Sequence, residues 1–163
     1  MKRVRIALRI AVLGLAVSLP VSADAPISGP DQQYENFDSG NKLITDRFTH
    51  LVWDRPSAPY PDKMNFAEAN AYCQSLGTMR LPSLKELLTL VDEEPHYEYD
   101  GTRNVERYID QRAFPKTPAE PFWTSSMKNV DLDVWTVDFR TGQTAGAQLD
   151  DSRRVRCVRY YAP

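Results

Sequence analysis

The sequence predicts an α+β domain, with two short helices set among antiparallel strands, and three features of the residue pattern carry that expectation. The first is the stretch Arg80-Leu81-Pro82-Ser83-Leu84-Lys85-Glu86-Leu87-Leu88-Thr89-Leu90-Val91. Ser83 stands where an N-cap side chain accepts from the free amides of a first turn, and Glu86, three residues on, can return the bond to the cap. Leu84, Leu87, Leu88 and Val91 follow at helical spacing as one apolar stripe, with Lys85, Glu86 and Thr89 on the wetter side. The second feature is Asn65, with Glu68 three residues on, ahead of Phe66, Ala69, Cys73 and Leu76 at the same spacing and Gly77 as a stop. The third is alternation in the last part of the chain: Val134–Phe139 sets Trp135, Val137 and Phe139 on one face of a strand. The helix over 84–91 is only about 12 Å long, too short to persist alone. The rest of the chain must therefore bury it.

In chain order, Met1-Lys2-Arg3-Val4-Arg5 is basic, Ile10 to Val21 is apolar apart from Ser18, and small residues surround Ala23 and Ala25. That is the pattern of a secretory signal over residues 1–23, with cleavage after Ala23 or Ala25. The apolar run falls short of the about 20 residues that a membrane span needs. No cysteine follows either position, which disfavours a lipid anchor; an uncleaved N-terminal anchor is the alternative. The chain carries 20 basic and 22 acidic side chains, a balance of −2, and the loss of Lys2, Arg3, Arg5 and Arg9 with the signal brings it to −6. An acidic excess speaks against a general nucleic-acid or anionic-membrane binder. Residues 24–36 read as a flexible tail, and 37–163 as one domain with a single core.

Within that domain, Phe37–Asp46 reads as a turn and a short strand, Thr49–Trp53 as a second strand, and Pro56, Pro59 and Pro61 as a stiff loop. After the two helices, roughly 30 residues from Val91 to Phe122 show little periodicity, which marks a functional or a disordered loop. They include the densest acidic run of the chain, Asp92 to Asp100. Phe122–Ser126 is a strand, Arg140–Gln143 a turn with Gly142 at its positive-φ position, Thr144–Leu149 the return, and Arg154–Tyr160 the last strand. Cys73 lies on the buried face of the first helix, and Cys157 shares a face with Val155. An even pair of cysteines in an exported chain defaults to a disulfide, and a redox pair is more usually a close Cys-x-x-Cys. The bridge ties the first helix to the last strand and closes a loop of about 80 residues, which stabilises by up to about 4 kcal/mol in chain-entropy terms.

Six segments, taken in order, resemble the Lcl C-terminal domain family: Thr45-Asp46-Arg47-Phe48-Thr49-His50-Leu51-Val52-Trp53, Ala71-Tyr72-Cys73, Met79-Arg80-Leu81-Pro82-Ser83-Leu84-Lys85-Glu86-Leu87, Phe122-Trp123-Thr124-Ser125-Ser126, Val134-Trp135-Thr136-Val137-Asp138-Phe139 and Val155-Arg156-Cys157-Val158-Arg159. The family takes its name from the C-terminal module of a collagen-like bacterial surface adhesin. The resemblance implies a C-type-lectin-like fold: two helices packed on a twisted antiparallel sheet, first and last strands paired, and a disulfide from the first helix to the last strand. His50 departs from the pattern, standing where the family has glycine in a Thr-Gly-Leu turn, and the acidic loop is long. The resemblance also implies a surface role, since some members are adhesins that bind sulfated glycans through basic surfaces. The calcium-dependent sugar site of C-type lectins uses Glu-Pro-Asn or Gln-Pro-Asp in a long loop and Trp-Asn-Asp on the next strand. Here only Met127–Asp133 join the two strands, and Val134-Trp135-Thr136-Val137 replaces the second motif, so that site is not expected.

Arg153, Arg154, Arg156 and Arg159 form the one concentrated basic stretch. Guanidinium groups grip acidic groups bidentately, which makes them a candidate anion site. The favoured alternative is that strand alternation splits them between faces, where they pair with Asp138, Asp150 and Asp151. The Asp92–Asp100 run, and Asp131 with Asp133 in the loop before Trp135, are candidate oxygen clusters, although the run lacks EF-hand spacing and reads more simply as a solvated loop. His50 and His96 have no third ligand at metal spacing, and Ser125 and Ser126 lack a nucleophile elbow. Trp53, Trp123 and Trp135 can stack on sugars, but aromatic residues on alternating strands are more often core. The expectation is an exported, non-enzymatic interaction module that binds a glycan or an envelope protein. Arg153, Arg154, Arg156, Asp131 and Asp133 are its candidate ligand residues, and no catalytic residue, metal or cofactor is expected. The alternatives are an enzyme or enzyme accessory acting on envelope material through the 92–121 loop, and a structural envelope protein.

Overall fold

The computed structural model describes residues 33–35, 42–56, 59–99, 101–128 and 133–161. The expected signal at 1–23 lies outside the described residues. Among the described residues the order is β1 (Tyr34–Glu35), β2 (Leu43–Asp46), β3 (Leu51–Asp54), α1 (Phe66–Ser75), α2 (Leu84–Leu88), β4 (His96–Tyr99), β5 (Asn104–Arg107), β6 (Pro121–Met127), β7 (Val134–Asp138), β8 (Gln143–Ala147) and β9 (Val158–Tyr160). The fold is mixed α+β as expected, but the strands form three antiparallel sheets rather than one: β1-β2-β3-β9, the hairpin β4-β5, and β6-β7-β8.

The last strand does not pair with the first. β9 lies against β3 through Leu51↔Tyr160, Val52↔Arg159 and Trp53↔Val158, while β2 and then β1 extend the sheet from the other edge of β3. All four residues of β3 are buried, whereas Leu43 on β2 and Glu35 on β1 are exposed, so β3 takes the centre. β1 falls within the stretch expected to be a flexible tail. It is held because Tyr34 is buried and meets the Phe114 ring edge-on at 5.3 Å. The expected strand 154–160 is ladder only from Val158. Before it, Arg153 and Arg154 make isolated bridges to Met64 and Phe122, and Val155, Arg156 and Cys157 are buried in succession. A segment buried on both sides runs between layers, not along the surface of one.

Both expected capping boxes are present. Asn65 Oδ1 accepts from the Glu68 amide at 3.0 Å while Glu68 Oε2 accepts from the Asn65 amide at 3.0 Å. Ser83 and Glu86 repeat the exchange at 3.3 and 2.8 Å. The Arg80 guanidinium adds a fork on Glu86, 2.8 Å to Oε2 and 2.7 Å to Oε1, and its hydrogen bonds hold that carboxyl down at about 2. Ser126 Oγ accepts from the Leu84 amide at 2.9 Å, and the Ser125 amide donates to Pro82 O at 2.7 Å, so these serines secure the start of α2. α2 is shorter than its apolar stripe. After Leu88 the amides of Thr89, Leu90 and Val91 reach back only three residues, to Glu86, Leu87 and Leu88. Three-residue turns eclipse positions i and i+3, which sets Leu90 beside Leu87 in the core although the helical spacing omits it.

β6 and β7 separate two apolar clusters. On one side Phe122, Val137 and Phe139 pack with Trp53, Leu87 and Val158; on the other Trp123 and Val134 pack with Leu81, Cys73 and Cys157. Trp135 shares a face with Val137 but lies beyond the cluster, half-buried under Lys128 Nζ at 5.2 Å from its ring centroid. The Cys73–Cys157 disulfide, buried and with Cα atoms 5.4 Å apart, joins α1 to the residue before β9 across 84 positions. Between β2 and β3, His50 holds φ at +55°, the left-handed conformation that side chains resist and glycine adopts freely. His50→Gly is expected to stabilise the protein by about 1 kcal/mol, read as a higher urea midpoint at unchanged m-value. A lower midpoint would show that the imidazole contributes more than its backbone costs.

Candidate functional site

The arginines of the basic stretch go to separate places. Arg156 is fully buried. Its guanidinium lies 4.5 Å from the Phe114 ring centroid and 5.7 Å from that of Phe122. Nη1 donates to Asp54 O at 3.1 Å, and Nη2 to Tyr60 Oη at 3.1 Å and Thr117 Oγ1 at 2.9 Å. It is a core residue, out of a ligand's reach. Arg153 pairs with Asp151 at 3.0 Å, as the alternation reading expects. Arg154 pairs with Glu120 at 2.9 Å, an acid from a different loop than those expected, and also donates to Pro61 O at 2.6 Å. Asp133 accepts the Lys128 amide through its carbonyl at 2.7 Å, closing the loop before β7, while its neighbour Asp131 lies outside the described residues.

The 92–121 stretch is ordered by arginines, two from other elements and one from its own strand β5. Arg55 Nε donates to Ala113 O at 2.8 Å, Arg107 Nε to Thr117 O at 2.7 Å, and Arg156 reaches the Thr117 hydroxyl. Asp110 Oδ1 accepts from the amides of Arg112 and Ala113 at 2.7 and 3.3 Å, capping the turn between them. Arg55 and Arg107 were not among the sequence candidates. The available signal is that Asp54-Arg55 continues a strand buried on both faces, where a charged side chain must find acceptors. Arg156→Lys keeps the charge but loses the planar fork. It is expected to cost about 3 kcal/mol and to open residues 108–117 to limited proteolysis; unchanged stability and protection would remove the guanidinium as the organiser of this loop.

The acidic run, expected as a solvated or cation-binding loop, is a β-hairpin in which Tyr97 faces Glu106 and Tyr99 faces Asn104. His96, Glu98, Val105 and Arg107 turn toward the protein, with Glu98 and Arg107 paired at 3.1 Å. The outer face presents Tyr97 and Tyr99 at 66% and 65% exposure, with Asn104 and Glu106 opposite. Side chains two apart on a strand stand about 7 Å apart. Arg103 and Arg140 complete the rim of a shallow hollow of about 260 Å³ beside Tyr97. The neighbouring Glu106 pushes the Tyr97 hydroxyl up. At the base of the hairpin His96 Nε2 lies 2.8 Å from Asp92 Oδ2, and burial pushes that carboxyl up. Among the described residues no three His, Cys, Asp or Glu side chains cluster as a metal site.

Asp54 is a buried acid, as are Asp46 and Asp110. Its Oδ1 accepts the Cys157 amide at 2.7 Å, yet burial pushes the carboxyl from the usual 3.8 up to about 6, against the pull of Arg156. A carboxyl raised on folding favours the folded state most below pH 3.8, and that contribution is lost as pH rises through 6. The loss approaches about 3 kcal/mol by neutral pH. Asp54→Asn keeps the acceptor and removes the titration. The stability difference between wild type and Asp54→Asn is therefore expected to change by about 2 kcal/mol between pH 4 and pH 7; a difference that is flat with pH would contradict the raised carboxyl.

These elements define an α+β domain with three antiparallel sheets and one buried disulfide from its first helix to the segment before its last strand. The chain belongs to the Lcl C-terminal domain family, whose model matches residues 42–159. No curated protein matches the chain. Membership suggests a surface or secreted module, and the disulfide fits an extracellular or exported protein. Among the described residues no helix is long and apolar enough to cross a membrane.

Proposed function

We propose that the protein is an exported, single-domain, non-enzymatic binding or adhesion module, surface-borne or periplasmic, whose ligand is a glycan held on the outer face of β4-β5. The observation that carries this reading is the exposed pair Tyr97 and Tyr99, with Asn104 and Glu106 directly across the hairpin. An aromatic ring bearing a polar tip suits a ligand that is apolar on one side and wet on the other. A sugar ring has that character, with a C–H face to stack and hydroxyls at its edge for the amide of Asn104 and the carboxylate of Glu106. A C-type-lectin-like kinship is part of the proposal. It is supported by the two helices, the bridge from α1, and a C-terminal strand that returns to the N-terminal sheet. Arg153 and Arg154, already ion-paired, carry no part of it.

A second reading draws on one observation, the His96–Asp92 pair, which has the form of an oriented base. It makes the protein an enzyme on envelope material with its site in the 92–121 loop, and cleavage of a bound glycan, lost in His96→Gln, would favour it. On a glycan array the binding reading expects retention of at least one glycan class. Tyr97→Ala or Tyr99→Ala should weaken it at least about tenfold, or about 1.4 kcal/mol, with Arg154→Ala near wild type. Stacking should also survive added salt, whereas an arginine contact should fade. No retained glycan, or retention indifferent to both tyrosines, would overturn the reading.

A further inference from the structure

We propose a second binding site, for a small amphipathic anion, in the cavity between α1 and the face of the β2-β3-β9 sheet that turns away from Trp53. It shares no residue with the hairpin and does not depend on the glycan reading. The register places Leu43 opposite Asp54 and Arg159 opposite Val52, two positions along, so Leu43, Asp54 and Arg159 lie on one sheet face. Tyr72 and Leu76, four residues apart and so on one ridge of the helical segment, form the facing wall, and Pro56, Pro59 and Pro61 the third side. The half-open cleft holds about 350 Å³, at the small end of the range for small-molecule sites.

Two independent features give the ligand's chemistry. Leu43 and Leu76 are 38% and 43% exposed where they line this cavity, leaving apolar surface without a cover among the described residues. Lys42 and Arg159 also line it, and among the described residues neither pairs with a carboxylate. The remaining charges on the cavity are Arg55, whose Nε is turned to Ala113 O, and Asp54, whose Oδ1 is turned to the Cys157 amide. Asp54 opposes an anion at the buried end. The anionic group therefore sits at Lys42 and Arg159, and an apolar ring or short chain enters between Leu43, Tyr72 and Leu76. A monocarboxylate with a body of one or two rings has this form.

The test is titration of the oxidised full chain with naphthoate and with naphthamide, which has the same shape without the charge, read by calorimetry and by backbone amide shifts. Naphthoate is expected to bind at least about tenfold more tightly, with shifts at Leu43, Tyr72, Leu76 and Arg159. Lys42→Ala with Arg159→Ala, both at the surface, should abolish the preference while sparing naphthamide, and Leu76→Asp should weaken both. Equal affinities, no binding by either, or shifts confined to the β4-β5 hairpin would overturn the proposal. Tyr97→Ala should leave naphthoate binding unchanged; loss in that variant would assign the ligand to the hairpin and overturn it too.

Discussion

A guanidinium removed from water needs partners for its charge, and the centre of this protein is arranged around supplying them to one. Arg156 has no exposed surface and no carboxylate in contact. Its two terminal nitrogens meet a main-chain carbonyl and two hydroxyls and its plane meets two phenylalanine rings, while Nε is buried without a hydrogen-bond partner among the described residues. Burying a charge without such partners is prohibitive, so the positions of Tyr60, Phe114 and Thr117 follow from it. Tyr60 brings the proline-rich segment in, and Phe114 and Thr117 bring the long loop in. Phe114 in turn meets Tyr34 and so secures the edge strand. The same charge restrains the titration of Asp54, which holds the amide of Cys157. Loop, edge strand and disulfide segment thus depend on one side chain.

The hairpin shows how the exposed face proposed to hold a glycan is anchored from behind. Its inner row carries the Glu98–Arg107 pair, and Arg107 Nε continues to Thr117 O, so β4-β5 is anchored to the loop that Arg156 organises. The outer row has no packing duty and can keep two tyrosines in water. A site on such a ribbon needs little ordering on binding, which lowers the cost of association.

Much of the local structure was legible in the residues. Both capping boxes, the Gly142 turn, the core positions of Trp53 and Trp123 and the pairing of Cys73 with Cys157 follow from short-range pattern, and each is present. What was not legible depends on partners far apart in the chain. Nothing in Val155-Arg156-Cys157 distinguishes a surface strand from a segment buried on both sides, because the aromatic rings that receive Arg156, Phe122 and Phe114, lie 34 and 42 residues earlier. The long loop lacks regular periodicity because its order comes from buried arginines, Arg55, Arg107 and Arg156, and from the scattered core residues Ile109, Ala113 and Phe114. The acidic run hid a hairpin for a related reason: its turn and its alternating tyrosines were masked by the charges between them. The candidate arginines were visible as a cluster, but a cluster in sequence is divided by the fold when successive residues meet different layers.

The stretch from Arg153 to Tyr160 bridges Met64, Arg80 and Phe122, supplies β9, and contributes half of the disulfide. A chain that emerges N-terminus first, from a ribosome or through a membrane pore, therefore leaves both apolar clusters open until nearly all of the domain has arrived. The long-range closure that this demands makes early compaction unrewarding. The consequence is a built-in test of completeness: a chain ended before this stretch lacks the strand, the bridge and the buried arginine together, and both apolar clusters stay open.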